Sequence, residues 1–117
     1  MKKIYHLGTC TTCQRIIKEL HPLNDFTFQD IKSEAISKKQ LEEMRALTNS
    51  YESLFSRRAI LFRQRGLNTQ ELEEKDYKKL ILEHYTFLKR PVILVDEQIF
   101  IGNSKKVVEA ANTAIRS

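Results

Sequence analysis

The spacing of apolar residues changes along the chain from that of a strand to that of a helix and back. Residues 2–7 are typical of a short strand, and apolar residues then recur at helical spacing, at Ile16, Ile17 and Leu20. This spacing predicts a helix over about 11–21, ended by Pro22 because a proline disfavours helical geometry in the residue before it. Apolar and polar residues alternate over 25–30, which predicts a half-buried strand and an opening β-α-β unit.

The middle of the chain carries helical spacing only. Ser37 and Gln40 match a capping box at the start of a helix. One or two short helices fit 51–67, and a longer helix fits about 71–84. We therefore expect a helical insertion over about 37–84, between the second and third strands.

The last part of the chain returns to strands. Residues 92–95 form an unbroken apolar run, typical of a central strand that is covered on both faces, and 98–101 predict a returning strand. Ser104 caps a last helix with an apolar face of Val107, Val108, Ala111 and Ile115. The order β-α-β, helices, β-β-α predicts an α/β protein whose first part resembles half of a thioredoxin-like fold.

Length and composition are those of one globular domain spanning 1–117. The 117 residues can bury roughly two thirds of their unfolded surface without disulfides, and three glycines with two prolines leave no linker. No apolar stretch of seven or more follows Lys2 and Lys3, so neither an export signal nor a membrane span is expected. The expected location is the cytoplasm.

The net charge of +5 is unevenly spread, because four arginines crowd one segment: Arg57, Arg58, Arg63 and Arg65. One interpretation is a solvated helix face, and the other is a surface for an anionic partner. Direct nucleic-acid binding is not expected, since no aromatic residues are interleaved with these arginines.

Both cysteines of the chain lie at the predicted strand-to-helix turn, in the motif Cys10-Thr11-Thr12-Cys13. A cysteine at a helix N-terminus faces unpaired backbone N–H groups and the positive end of the helix dipole, which favour the reactive thiolate. Cys13 falls on the same helix face one turn later, near enough to form a disulfide with Cys10. The motif indicates redox chemistry, although Cys13 also fits a small residue that packs inward.

Two further points concern the surroundings of this pair. The hydroxyls of Thr11 and Thr12 can cap the helix or donate to a thiolate. A metal site is not expected, because two cysteines and three scattered histidines give no second pair of ligands at customary spacing.

Three segments at matching separations resemble the ArsC/Spx family of thioredoxin-like proteins over nearly the whole chain. They are Tyr5-His6-Leu7-Gly8-Thr9-Cys10, Arg58-Ala59-Ile60-Leu61 and Arg90-Pro91-Val92-Ile93. The resemblance implies a thioredoxin-like fold with a mixed four-stranded sheet. It also implies that Arg58 lies on a helix and that Pro91 follows a cis peptide bond beside the reactive cysteine.

In the arsenate reductases of this family, the resemblance implies that the cysteine at position 10 attacks arsenate while arginines at positions 58 and 90 hold the oxyanion. Thr11, Thr12 and Pro91 complete the expected substrate contacts. Two positions differ from those reductases, since Asn103 aligns with a third arginine and Cys13 stands where they usually lack a cysteine.

The resemblance leaves two functions open. The first is a thiol-dependent oxidoreductase, an arsenate reductase among the options, acting on a small oxyanion or on a protein or glutathione disulfide. It would bind no cofactor and would draw electrons from glutathione and glutaredoxin or from thioredoxin. The alternative is an Spx-like redox-sensing transcription regulator that binds RNA polymerase.

Overall fold

A computed structural model describes all of residues 1–117 and contains four strands and five α-helices. The strands are β1 (Lys2–His6), β2 (Thr27–Asp30), β3 (Val92–Val95) and β4 (Gln98–Ile101). The helices are α1 (Thr11–Leu20), α2 (Lys38–Ala46), α3 (Ile60–Gln64), α4 (Glu74–Glu83) and α5 (Lys105–Arg116). Short 3₁₀ helices cover Glu52–Leu54, Leu67–Thr69 and Tyr85–Phe87.

The strands form one mixed sheet in the order β2-β1-β3-β4. β1 pairs in parallel with β2, whereas β3 is antiparallel to both β1 and β4. The expected four-stranded mixed sheet is therefore confirmed, and β3 is a central strand with all four residues buried. None of the helices is long and apolar enough to cross a membrane.

The chain divides into two compact units, residues 1–34 with 90–117, and residues 35–89. The first unit holds the sheet with α1 and α5, and the second holds the helices between β2 and β3. The second unit starts and ends within a few residues of the expected insertion. The assignment of 1–117 to a single domain remains a prediction.

The core of the first unit joins α1 and α5 to the central strands. Ile16 and Leu20 of α1 share one buried cluster with Ile4 of β1, Ile93 of β3 and Ala111 of α5. Of the apolar face predicted for α5, only Ala111 is fully buried, while Val108 and Ile115 pack against the cluster from its edge. This cluster fixes α1 against the sheet, and with it the turn that precedes α1.

The burial along β2 differs from the predicted alternation. The side chain of Gln29 is only 2% exposed, whereas that of Phe28 is 44% exposed. β2 is an edge strand, so a side chain is buried only where a neighbouring segment covers it. The Gln29 amide donates to the Glu34 carbonyl at 3.0 Å, and the Phe28 ring lies in edge contact with His6.

The second unit is organised around Phe55, which is fully buried. Its ring contacts the rings of Phe62, Tyr77 and Phe87, with centroids 4.9–5.8 Å apart. The predicted capping box is present at the start of α2, where the Ser37 hydroxyl accepts from the Gln40 N–H and the Gln40 side chain accepts from the Ser37 N–H, both at 3.0 Å.

One expectation for the second unit is wrong. Arg58 does not lie on a helix, because α3 begins at Ile60 and Arg58 occupies the turn before it. Nearby, Gly66 follows α3 with φ of 68°, a left-handed conformation that favours glycine.

Candidate functional site

The two cysteines lie where β1 passes into α1. The chain leaves β1 at His6 and makes a turn in which the Cys10 N–H donates to the Leu7 carbonyl at 3.0 Å. Cys10 is the N-cap residue of α1, with extended backbone angles, and its carbonyl accepts the first helical bond from the Gln14 N–H at 3.1 Å. The thiol of Cys10 therefore stands at the N-terminus of a helix, as the sequence predicted.

The surroundings of Cys10 favour its thiolate. Partial burial by itself raises the pKa of the thiol, but several groups outweigh burial and hold the pKa below its ordinary value. These groups are the backbone N–H and thiol of Cys13, the backbone N–H of Thr12, and the positive charge of Arg90. Cys10 is also partly exposed, so its sulfur can be reached from solvent.

The thiol of Cys13 differs from that of Cys10 in both its exposure and the direction of its pKa shift. Its side chain has no exposed surface, and burial is the main cause that raises the pKa of its thiol to about 11. A hydrogen bond from the Leu7 backbone opposes this rise, while the charge and thiol of Cys10 add to it. The pair thus combines a reachable thiol that ionises easily with a buried thiol that keeps its proton.

Arg90 and Pro91 immediately precede β3. The peptide bond between them is cis, as expected. Pro91 is buried, and its carbonyl accepts from the Gly102 N–H at 2.9 Å. The positive charge of Arg90 favours the ionised forms of both Cys10 and Cys13, so the structure brings these three residues together.

One role expected for the hydroxyls of Thr11 and Thr12, the capping of α1, is not seen in the structure. No side-chain hydrogen bond caps α1, because the N-cap position belongs to Cys10 rather than to a threonine. Thr12 acts on Cys10 through its backbone N–H, and Thr11 is exposed. Contact of either hydroxyl with a substrate remains a prediction.

The structure gives Arg58 and Asn103 different surroundings. Arg58 belongs to the second unit, where its side chain is exposed and forms no ion pair. Its neighbours Arg57 and Arg65 are paired with Glu52 and Glu83 respectively. The role of Arg58 toward an oxyanion remains a prediction.

Asn103 is exposed and comes just before Ser104, the N-cap of α5. It lines a shallow groove of about 330 Å³ together with side chains of α1 and α5: Arg15, Glu19, Lys105, Val108 and Glu109. None of the predicted site residues lines this groove. The structure also contains no group of three or more histidine, cysteine, aspartate or glutamate side chains that could hold a metal ion.

Sequence reasoning missed three residues around the cysteine turn. Gly8 approaches Asp30 so closely that a Cβ atom built on the glycine would lie 2.4 Å from Asp30 Oδ2. The Gly8 carbonyl accepts from Gln14 Nε2 at 2.6 Å. No local pattern could show the contact with Asp30, because Asp30 reaches Gly8 only through the pairing of β1 with β2.

Comparison with known proteins gives relatives of two kinds. The chain is 26% identical over 120 residues to the global transcriptional regulator Spx 2 of Bacillus anthracis, an alignment that covers 100% of this chain and 92% of that protein. It also superposes on an arsenate reductase (ArsC) related protein from Brucella melitensis with a TM-score of 0.69 and 27% identity, covering 93% and 92% of the two chains.

A further structural relative shows the same fold. The putative ArsC family related protein from Bacteroides fragilis superposes with a TM-score of 0.79 at 18% identity, covering 94% of this chain and 96% of that chain. The family model described as ArsC family matches residues 5–111, which include the whole sheet from Tyr5 onward and both cysteines. The protein has a thioredoxin-like α/β fold and belongs to the ArsC family.

Proposed function

We propose that this protein is a thiol-disulfide oxidoreductase in which Cys10 is the nucleophile and Cys13 is the resolving thiol. The observation that carries the proposal is that two cysteines within one helical turn differ in their exposure to solvent. Cys10 is partly exposed at the N-cap of α1, whereas Cys13, three residues later, is fully buried. A nucleophile must meet its substrate, while a resolving thiol need meet only the nucleophile.

The reaction proceeds by two exchanges. The Cys10 thiolate attacks one sulfur of a disulfide, forming a mixed disulfide and releasing the other sulfur as a thiolate. Cys13 then loses its proton and attacks the Cys10 sulfur, forming the Cys10–Cys13 disulfide and releasing the second thiolate. The substrate disulfide gains two electrons, and one reduced glutaredoxin or thioredoxin returns them to the protein; two molecules of glutathione can do so only when the substrate is not glutathione disulfide itself.

The charge of Arg90 favours substrates that carry a negative charge close to the reacting sulfur or oxygen. Glutathione disulfide meets this requirement through its carboxylates, and a small oxyanion meets it directly. We propose Arg90 as the main anion contact and Arg58 as a second one. Arsenate is the less favoured substrate, because Asn103 replaces an arginine expected in the arsenate reductases. Such a cycle suits the cytoplasm, where thiols are kept reduced.

Trapping of the mixed disulfide tests this proposal. A Cys13→Ser variant, treated with glutathione disulfide, should accumulate one glutathione on Cys10, whereas the wild type should end as the internal disulfide. A Cys10→Ser variant is the matched control and should react at least tenfold more slowly. Equal glutathione incorporation at both positions would contradict the assignment of roles. Arsenate, with glutathione and glutaredoxin, should give little turnover.

A second function is favoured by the full-length similarity to a protein named as a global transcriptional regulator. In that case the same cysteine pair would sense oxidants, and its oxidation would alter a surface that binds RNA polymerase. Purified RNA polymerase distinguishes the two functions. Binding that differs between the reduced and oxidised protein, together with no turnover of glutathione disulfide or arsenate, supports the regulator. Turnover without binding supports the enzyme.

A further inference from the structure

In the turn before Cys10, one residue, Gly8, is hydrogen-bonded to side chains on two sides. Gly8 and Thr9 are the central residues of this turn, which the Cys10 N–H closes onto the Leu7 carbonyl. On one side of Gly8 lies the carboxylate of Asp30, to which the Gly8 N–H donates. On the other side Gln14 Nε2 donates to the Gly8 carbonyl at 2.6 Å.

The position of Asp30 is itself fixed. Asp30 is the last residue of β2 and pairs in register with His6, the last residue of β1. Its carboxylate also accepts from the Lys32 N–H at 3.0 Å, and the Glu34 N–H donates to its carbonyl at 2.8 Å. The hydrogen bonds from Lys32 and Gly8, with the nearby charge of His6, keep the pKa of this carboxyl below its usual range. Asp30 is therefore ionised at neutral pH and available as an acceptor.

A glycine stands at position 8 because of this close approach and not because of its backbone angles. The only glycines of the chain with positive φ are Gly66 and Gly102. The backbone of Gly8 is outside the positive-φ region that favours glycine, but a side chain there would collide with Asp30, since its Cβ would lie 2.4 Å from Oδ2. The space that a side chain would fill is taken by the carboxylate.

We propose that Asp30 and Gln14 are positioning residues that hold Gly8 between them and thereby keep the Cys10 sulfur at the N-terminus of α1. This inference rests on the thiol function proposed above and goes further, because it assigns two residues outside the Cys10–Cys13 motif to that function. Neither side chain need touch a substrate. Each acts by limiting how far Cys10 can move from the N–H groups of Thr12 and Cys13 that favour its thiolate.

Gln14→Leu tests the contact on the helix side. Gln14 is exposed, and leucine has nearly the same helix propensity and length, so this change removes the hydrogen bond with little effect on folding. We expect Cys10 alkylation at pH 7 to slow by about three- to tenfold, the effect of one hydrogen bond, and the midpoint of its rate-pH curve to move upward. Gln70→Leu is the matched control, because Gln70 is also exposed and its side chain makes no hydrogen bond.

Gly8→Ala tests the contact on the strand side. In the wild-type background the added methyl group meets Asp30, so we expect alkylation of Cys10 to slow by more than about tenfold. In an Asp30→Ala background the obstructing oxygen is gone, and the same change should alter the rate by less than about twofold. This dependence on background separates positioning by Asp30 from a general loss of flexibility at position 8.

The results of these experiments can contradict the positioning role without contradicting the proposed function, and the reverse. If Cys10 of the wild-type protein is no more reactive than a free cysteine, the proposed function fails. If wild-type Cys10 is reactive but Gln14→Leu leaves its rate-pH curve unchanged, the positioning role is wrong. Equal effects of Gly8→Ala in both backgrounds also contradict it. Urea denaturation of each variant shows that the protein is folded, and Gln14→Leu decides the question if an Asp30 variant does not fold.

Discussion

The pKa of the Cys10 thiol depends on a few neighbouring charges and N–H groups. The groups that lower the pKa of its thiol include the Cys13 thiol and N–H, the Thr12 N–H and the Arg90 charge. Of these, the Arg90 charge can be removed without altering α1. It therefore offers the simplest test at the scale of a single residue.

We predict that Arg90→Gln slows alkylation of Cys10 by iodoacetamide at pH 7 and raises the pKa read from the rate-pH curve. The physical reason is that a positive charge near a thiol stabilises its thiolate, and a neutral amide does not. The rate should fall by roughly two- to tenfold, the range expected for a partly exposed charge pair. Arg90→Lys keeps the charge and is the control, so an equal loss in both variants would contradict an electrostatic role.

At the scale of an element, the start of α2 has a cap that can be removed cleanly. The Ser37 hydroxyl accepts from the Gln40 N–H at 3.0 Å, and the Gln40 side chain returns a bond to Ser37. Ser37→Ala should lower the free energy of unfolding by about 1 kcal/mol, since the Gln40 N–H loses its partner. Urea denaturation measures this change.

Ser56→Ala is the control for the cap, because Ser56 is only half-buried and its hydroxyl makes no hydrogen bond. This change should cost less than about 0.5 kcal/mol. Equal losses in the two alanine variants would show that the capping box does not stabilise α2.

Elements defined by local spacing could be predicted from the sequence, and contacts defined by pairing could not. The buried run of β3, the cap at Ser37 and the cysteine motif at the start of α1 each depend on residues a few positions apart. The burial of Gln29 and exposure of Phe28 depend instead on which segment covers an edge strand. The contact of Gly8 with Asp30 depends on the register between β1 and β2, which no spacing within either segment reveals.

The start of α3 gives a second example. The apolar residues of this region predicted a short helix, which is present, but they did not fix its first residue. Arg58 fell outside it because α3 starts at Ile60 and is only five residues long. A short helix carries too few repeats of the apolar pattern to define its ends.

For the whole molecule, the buried thiol of Cys13 links stability to pH. The pKa of Cys13 is raised in the folded protein from 9.0 to about 11. A raised pKa contributes stability that is fully present below the unfolded pKa and is lost as the pH rises through the folded one. Cys13 should therefore destabilise the fold progressively between about pH 9 and pH 11, by roughly 1 to 3 kcal/mol in total.

Cys13→Ala tests this linkage, because alanine has no proton to lose. From pH 8 to pH 10.5 the free energy of unfolding, measured in urea with a reductant present, should fall further in the wild type than in the variant. Parallel curves for the two proteins would mean that Cys13 ionises as easily in the folded protein as in the unfolded one.

The most direct test of the central claim, that Cys10 and Cys13 act as one redox pair, is the mass of the protein after mild oxidation. Treatment with a small excess of hydrogen peroxide or of glutathione disulfide should yield a monomer lighter by two hydrogens, with a peptide map that links Cys10 to Cys13. The Cys13→Ser variant should give no such product. Oxidation that yields only intermolecular dimers, or stable glutathione adducts on both cysteines of the wild type, would contradict the claim.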